Sequence, residues 1–573
     1  MFGAANAGRI LIAVVLLWLL LILFIGGPLL RRNDSEYNVI NGENAELILA
    51  RLSRASSELG ALKAQNEELR NLLQNYIPIE AQIKKATNVL NEDSQQSIEA
   101  LQTFEASRRR LAFNINELWH HLRTRLNSSQ MSAINEHRNN LLFEIEQISD
   151  RDYEWRKSEL RKLANYLNRK INELQNPKDC KTAQKLVCQL NKGCGFGCQL
   201  HHVAYCFLSA LATQRTLILD SHSWRYASQR VRKATNSRWD LVFQPLSDTC
   251  LDDSGSTRSH WRGNDRHVQV IELPIIDSLR PRPPFLPLAI PEQLSTKLQT
   301  LHGDPFVWFI GQIVRYIMRP SKEMQAYLEK SKTKLNFKTP IVGVHVRRTD
   351  KVGTEASFHS LSEYMYFVED YYNRIDLFNE RLQKQEKVER LVYLATDEPS
   401  IWTKEVKKYQ NLGYKFIGDS GIAKTASLGN RYNFDSLKNI ILDIWLLSEC
   451  DHLVCTFSSQ VCRLAYELMQ TRGLDTKAKT KIDWSDAFNS LDDIYYFGGQ
   501  SEHNQIAVLS HKVREKDEIN FKVGDIIGIA GNHWNGYSKG LNRRTLESGL
   551  YPGFKTIEQV KTAFFKVFDE PEK

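Results

Sequence analysis

The apolar positions change period along this chain, and each change predicts a different kind of element. Ile10 to Leu30 is an apolar run bounded by Arg9 and by Arg31-Arg32. As a helix it measures about 30 Å, enough to cross a bilayer. It lacks the short core and small-residue cleavage site of a signal peptide, so a single N-terminal anchor is expected. The flanking arginines do not orient it. From Ile48 the apolar positions step by four and three through Leu52, Ala55, Leu59, Leu62, Asn66, Leu69 and Leu73. These are alternating d and a positions, and a polar Asn66 at a suits a parallel two-stranded register. Glu58 and Lys63 fall at g and e, where they can pair across a dimer. An amphipathic helix packed on its own domain is the other reading. No glycine occurs between Gly60 and Gly193, and only Pro78 and Pro177 interrupt the stretch, so long helices are predicted to about Gln175.

After Pro177 short β-branched runs alternate with helical stretches. Lys185–Leu190 reads as a strand, 192–198 as a glycine-rich loop, Gln199–Thr213 as a helix and Arg215–Leu219 as the next strand. Pro340–Val346, Leu391–Ala395 and His452–Thr456 read as further buried strands, the last followed by a helix entered at Val461. Strands alternating with helices predict an α/β, doubly wound body with a Rossmann-type nucleotide-binding unit. The pattern divides the chain into a tail (1–9), a transmembrane anchor (10–30), a helical, coiled-coil stem (31–177) and an α/β catalytic domain (178–499). A small β module (500–562) and a C-terminal tail (563–573) follow.

Composition narrows the function. A hydrophobic fraction of 42% and a charged fraction of 25% exclude wholesale disorder and a polytopic membrane protein. The net charge of +9 comes without a Lys/Arg-rich block, so no nucleic acid partner is expected. The basic excess lies beyond residue 178, on the domain expected to bind an anion. Of nine cysteines, six fall between Cys180 and Cys250 and three between Cys450 and Cys462. Such clusters suit an oxidising compartment, as do the acceptor triplets at Asn33 and Asn127. A short cytosolic tail with everything else lumenal is the economical arrangement.

The chemistry gathers where the strands end. In open α/β sheets ligands bind at the carboxyl ends of strands, and there stand His345-Val-Arg-Arg-Thr-Asp-Lys351, Thr396-Asp397-Glu398 and Phe457-Ser-Ser-Gln460. Loop amides around Gly195 and Gly197 can hold a pyrophosphate, or the glycines serve only a tight disulfide loop. Ser458 or Ser459 would cap the following helix, whose free amides suit an anion. His345 and Arg347 alternate on one strand and share a face. Arg347 has the planar fork for bidentate phosphate contact, although adjacent arginines also serve as salt-bridge formers. Lys351 and Glu355, with Asp350 beside them, offer either a general base or an i,i+4 ion pair.

These residues resemble a known family. His345-Val-Arg-Arg-Thr-Asp-Lys-Val-Gly-Thr-Glu355 is similar to the signature of the α-1,6-fucosyltransferases, Golgi enzymes that add fucose to the innermost GlcNAc of N-glycans. The likeness extends over Asn191–His202, Cys455–Arg463 and Leu491–Gly499, and covers the stem and the C-terminal tail. It implies a GT-B-like, inverting glycosyltransferase that uses GDP-fucose and no metal. The only Asp-x-Asp triplet, Asp150-Arg151-Asp152, lies in the stem, which agrees. The resemblance assigns Arg347 to the β-phosphate, His345 and Asp443 to guanine, and Tyr226 to the nucleotide pocket. Ser459 falls near the pyrophosphate, with Arg348, Gly195 and Gly197 around the nucleotide-sugar. Glu355 is implied as general base, linked to Lys351, with Asp350 positioning the acceptor. Lys192, Asp492, Asp493, Tyr496 and His533 are implied on the acceptor side. Family disulfides would pair Cys180 with Cys250, Cys188 with Cys206, Cys194 with Cys198 and Cys455 with Cys462. Cys450 is left over, and Asp397-Glu398 stands where the family has paired aspartates.

Residues 517–525, Trp534-Asn-Gly536 and Gly549-Leu-Tyr-Pro552 follow the order of landmarks in an SH3 domain, which predicts an SH3-like β-barrel. The aromatic motif that lines a proline groove is missing, because Ala507-Val-Leu-Ser510 stands there. A ligand-like segment, Pro281-Arg282-Pro283-Pro284-Phe285-Leu286-Pro287, nevertheless occurs in the same chain. Two expectations compete: a membrane-anchored Golgi fucosyltransferase acting on N-glycoprotein acceptors as a homodimer through its stem, and a non-catalytic lumenal glycan-binding scaffold on the same fold.

Overall fold

The computed structural model describes residues 94–149, 153–227, 238–275, 279–350, 352–353, 356–384, 388–426, 429–472, 484–492, 494–497 and 503–569. The anchor, the Asn33 triplet, the heptads from Ile48 to Leu73, the Asp150–Asp152 triplet, Lys351, Glu355 and Asp493 lie outside the described residues. Among the described residues no helix is long and apolar enough to cross a membrane.

Three helices open the described chain: α1 (Ser94–Arg123), α2 (Ser128–Ser149) and α3 (Tyr153–Gln175). The break between α1 and α2 is a reciprocal cap. Asn127 Oδ1 accepts from the Gln130 amide at 3.0 Å, and Gln130 Oε1 accepts from the Asn127 amide at 3.2 Å. In α3, Leu160, Leu163, Leu167 and Ile171 form a buried stripe at helical spacing, in the same core as the first α/β layer. Gln175 closes the helix by donating to Leu217 O and Leu246 O and accepting from the Leu217 amide. From residue 98 onward the sequence read as stem is therefore part of the folded body. Trp119 joins α1 to the second layer: it is 2% exposed, donates to Asn135 Oδ1 at 2.7 Å and lies 4.1 Å beneath the Arg138 guanidinium.

Two parallel sheets form the body. The first has the order β2-β1-β4-β3, from β1 (Lys185–Gln189), β2 (Thr216–Asp220), β3 (Arg258–His260) and β4 (Val270–Glu272). The second has the order β10-β9-β6-β7-β8, from β6 (Ile341–Val346), β7 (Leu391–Thr396), β8 (Lys415–Ile417), β9 (His452–Cys455) and β10 (Phe488–Ser490). Every residue of β6 and β7 is buried, as continuous apolar runs covered on both faces require. Helix α4 (Phe196–Thr213) follows β1, α5 (Phe434–Glu449) precedes β9, and α6 (Gln460–Met469) follows it. The expected strands shift by no more than one residue at either end, and two helix starts differ. Helix α4 starts three residues early and takes in Gly197 and Cys198, and α6 begins at Gln460 rather than Val461.

Strands β11 (Asn504–Ala507), β12 (Ile526–Asn532), β13 (Tyr537–Asn542), β14 (Ser548–Pro552) and β15 (Thr556–Glu558) form an antiparallel sheet in the order β14-β13-β12-β11-β15. This is a small β module where the SH3 landmarks lie. Beyond it the chain returns to the body. β16 (Thr562–Ala563) pairs with β5 (Ile290–Pro291), and buried Phe565 packs on Phe309 and Phe285. The proline-rich segment is partly core, since Leu286 is fully buried while Arg282 and Pro284 stay exposed. Disulfides join Cys180–Cys250, Cys188–Cys206, Cys194–Cys198 and Cys455–Cys462, and Cys450 is a buried thiol that donates to Leu446 O.

Removing the Trp119 anchor deletes a fully packed indole and its hydrogen bond. Trp119→Ala should lose about 3–5 kcal/mol, measured as a shifted denaturant midpoint with an unchanged slope.

Candidate active site

The crevice is built from loops at the carboxyl ends of β1, β6, β7 and β9. After β1 the chain turns through Cys194-Gly195 directly into α4. Gly195 is the N-cap and has no side chain to offer, so the first amides of α4 are left for other partners. The Phe196 amide donates to Tyr226 Oη at 3.0 Å. Gln199 braces the loop from below by donating to Lys192 O and Cys194 O, and its own oxygen accepts from Trp224 Nε1. After β9, Ser459 is the N-cap of α6, but its hydroxyl makes no capping bond. Ser459 thus takes the expected N-cap position, without a capping bond from its side chain. Ser458 Oγ and its amide are drawn to the Asp492 carboxylate instead. The two helix starts touch: a Cβ on Gly197 would stand 2.8 Å from Gln460 Cβ.

Beyond β6 lies a cluster of arginines and aspartates. Arg347 donates to both Asp350 and Asp397. Asp397 also accepts from the Arg348 and Thr349 amides at 2.9 and 3.1 Å, which fixes the loop. Arg431 reaches Asp350 from the loop before α5, with both nitrogens at 3.3 Å. Burial pushes the Asp350 carboxyl up, but the Arg431 hydrogen bonds and the Arg347 charge prevail and hold it below the usual range. Tyr226, 3% exposed, is pushed up to about 12 by burial, against the pull of the Arg431 and Arg347 charges. Its ring lies 5.0 Å from Tyr432, over which Arg225 stacks at 3.9 Å.

Arg348 turns away from this cluster. Its guanidinium is committed to Glu405 and to His359 O and stacks on Phe358 at 4.5 Å. In this arrangement it supports the loop. His345 is buried, its Nδ1 has no hydrogen-bond partner, and burial lowers it to about 4. Asp443 on α5 accepts from Tyr393 Oη at 2.7 Å, and burial raises it to about 7.

The remaining residues fall at the margins. Lys192 is half-buried in the loop before α4. Tyr496 lies 3.9 Å beneath the Arg463 guanidinium. His533 is exposed on the 532–537 loop, which rests on α1 through Asn532 with Glu117 and Trp534 with His120. Arg431 and Tyr432 were missed in the sequence. The usable signal was the basic-aromatic pair Arg431-Tyr432 just ahead of a capped helix. Among the described residues, Cys188, His202 and Cys206 have metal-ligand spacing, but the two sulfurs are bonded to each other.

Arginines, helix starts and buried carboxylates gathered at strand carboxyl ends mark the crevice as the candidate active site of an α/β enzyme. Comparison with known proteins makes this specific. A model of the alpha-(1,6)-fucosyltransferase N- and catalytic domains matches residues 2–496. An alpha-(1,6)-fucosyltransferase of Drosophila melanogaster is 46% identical over 481 residues, 80% of this chain and 74% of that protein. One from Caenorhabditis elegans is 45% identical over 391 residues, 68% of this chain and 66% of its own. Among solved structures, POFUT1 in complex with GDP-fucose is similar over 52% of this chain and 97% of its own, at 12% identity and a TM-score of 0.32. Likeness at that level defines nothing about the crevice. The chain belongs to the alpha-(1,6)-fucosyltransferase family, and it is a glycosyltransferase.

Asp443 binds its proton more tightly folded than unfolded. Its stabilising contribution is complete below its ordinary value of 3.8 and is lost as pH rises through about 7. Asp443→Asn keeps the neutral form at every pH. Thermal melts should therefore show it more stable than wild type at about pH 8, with the difference vanishing near about pH 4.

Proposed function

We propose that this enzyme transfers L-fucose from GDP-fucose, in α-1,6 linkage and with inversion, to the innermost Asn-linked GlcNAc of N-glycans. It acts in the Golgi lumen as a single-pass type II protein, anchored by residues 10–30 and paired with a second copy through its stem. The observation that carries this reading is the gathering of Arg347 and Arg431 around Asp350, at the carboxyl ends of parallel strands. Two guanidiniums with adjacent bare helix starts suit the diphosphate of a nucleotide-sugar. Asp443 accepts from the N–H groups on the guanine edge, and His345 meets the base with a neutral ring.

The reaction needs charge stabilised on one side of the sugar and a proton removed on the other. The bond from fucose C1 to the β-phosphate oxygen breaks, and its electron pair leaves with GDP, where Arg347 stabilises it. The acceptor 6-hydroxyl attacks C1 from the opposite face and gives its proton to Glu355, which Lys351 holds in place. Asp350 orients the acceptor, with Lys192, Asp492, Asp493, Tyr496 and His533 further along the glycan. No metal is required, since the arginines supply the positive charge.

The test is GDP release from GDP-fucose with a defined biantennary N-glycan ending in GlcNAc. Arg347→Ala should slow transfer by about 10²–10³-fold, and Glu355→Gln by about 10²–10⁴-fold. A chelator should leave the wild-type rate unchanged. Wild-type enzyme that transfers no fucose to this glycan, or an Arg347→Ala variant at full rate, would sink the reading.

A further inference from the structure

Behind the two helix starts lies a buried polar chain that the fucosyl-transfer scheme does not use. His201, in the second turn of α4 and 2% exposed, places Nε2 at 3.1 and 3.2 Å from the two carboxylate oxygens of Glu467. Its Nδ1 lies 3.0 Å from Gln460 Oε1. Glu467, with no exposed surface, sits two turns beyond Gln460 on the same face of α6 and also accepts from Tyr495 Oη at 2.8 Å. The Phe497 ring closes the site, 4.6 Å from the imidazole. A carboxylate this deeply buried demands donors on its oxygens, and Tyr495 and His201 are placed to supply them.

In the structure the Gln460 amide turns its oxygen toward His201 Nδ1. The carboxylate requires a proton on Nε2, so the identity of the atom facing Nδ1 depends on whether the ring carries a second proton. An imidazolium donates from Nδ1 and holds the Gln460 oxygen inward. A neutral ring accepts at Nδ1 and turns that oxygen outward, toward an anion it would repel. The Gln460 amide nitrogen makes no hydrogen bond among the described residues, and its stem is pinned by the close approach of Gly197.

We propose that His201, held by Glu467 with both ring nitrogens facing oxygens, is a positioning residue that turns the Gln460 amide nitrogen into the crevice as a donor to the nucleotide's phosphates. The pair bridges the two layers, because His201 rides on the helix after β1 and Glu467 on the helix after β9. It acts through Gln460 and touches no reacting atom. This rests on the nucleotide reading above.

The test is GDP binding by titration calorimetry on the full chain, as a double-mutant cycle. Glu467→Gln and Gln460→Ala should each weaken GDP by about ten- to a hundredfold, and the double variant should be no weaker than Gln460→Ala alone. In kinetics, Glu467→Gln should raise the KM for GDP-fucose more than it lowers kcat. Full additivity would mean that Glu467 only supports the fold, and the inference falls. Should Glu467→Gln fail to fold, histidine nitrogen NMR of the wild type decides: both His201 nitrogens protonated at neutral pH sustains the proposal, and one protonated nitrogen overturns it. A wild type that does not bind GDP at all would overturn the nucleotide reading instead.

Discussion

The crevice depends on how closely two helices can begin. Helices α4 and α6 rise from different sheets, yet their first turns meet where Gly197 lies against Gln460. Any side chain at 197 would push the two layers apart, because the atoms it meets include the Gln460 backbone. A disulfide holds each start, Cys194–Cys198 on one side and Cys455–Cys462 on the other. Neither N-cap uses a side chain of its own. Leaving a helix start without a side-chain cap forgoes between a few tenths of a kcal/mol, with glycine, and about 1 kcal/mol, and it leaves amide donors that suit an anion from outside.

Against those amides the second sheet sets its charges. Arg347 and Arg431 share Asp350, and Arg347 also holds Asp397, so each arginine is positioned before any phosphate arrives. Paired this way, the guanidiniums avoid the cost of unpaired buried charge. Under the proposed function, a doubly charged diphosphate would compete with the carboxylates for the same donors. Asp397 could then yield Arg347 because two backbone amides still satisfy it, and release of Asp350 would free a carboxylate for the proposed acceptor hydroxyl. Arg348, one residue along, is fully committed to Glu405 and His359 and anchors the loop while its neighbour works. Adjacent arginines with identical chemistry thus divide the labour by the side of the strand end from which they leave.

Much of this was legible in the sequence where one local rule applied. The buried strands Ile341–Val346 and Leu391–Thr396 are continuous apolar runs, and period alone located them within a residue. Arg347, Asp350 and Asp397 stood at strand ends, where ligands bind. What stayed hidden needed distant segments to meet. Nothing local distinguishes Arg348 from Arg347, since the partner that claims it is Glu405. Arg431 sits on a loop whose approach to Asp350 follows from packing of α5. Helix α4 begins early because Gly197 is chosen for contact with Gln460 and not for a loop, and a lone sequence reads such a glycine as a breaker. His201 and Glu467, 266 residues apart, carry no signal at all.

The stem shows the same economy on a larger scale. One face of α1 sends Trp119 into the core of the second layer, while Glu117, His120 and His121 meet the 532–537 loop of the β module. Burial raises the Glu117 carboxyl to about 7 and lowers the His120 ring to about 3, so between about pH 3 and about pH 7 neither carries charge into the contact. Above that pH Glu117 ionises with one oxygen lacking a hydrogen-bond partner, and the contact weakens. Trp534 and Tyr537 spend their ring faces on His120 and His121, which commits the aromatic side of the module to its own chain. What the loop still offers to solvent is His533. A module fixed in this way is suited to hold one exposed side chain at a set place beside the body, and unsuited to exchanging proline-rich partners.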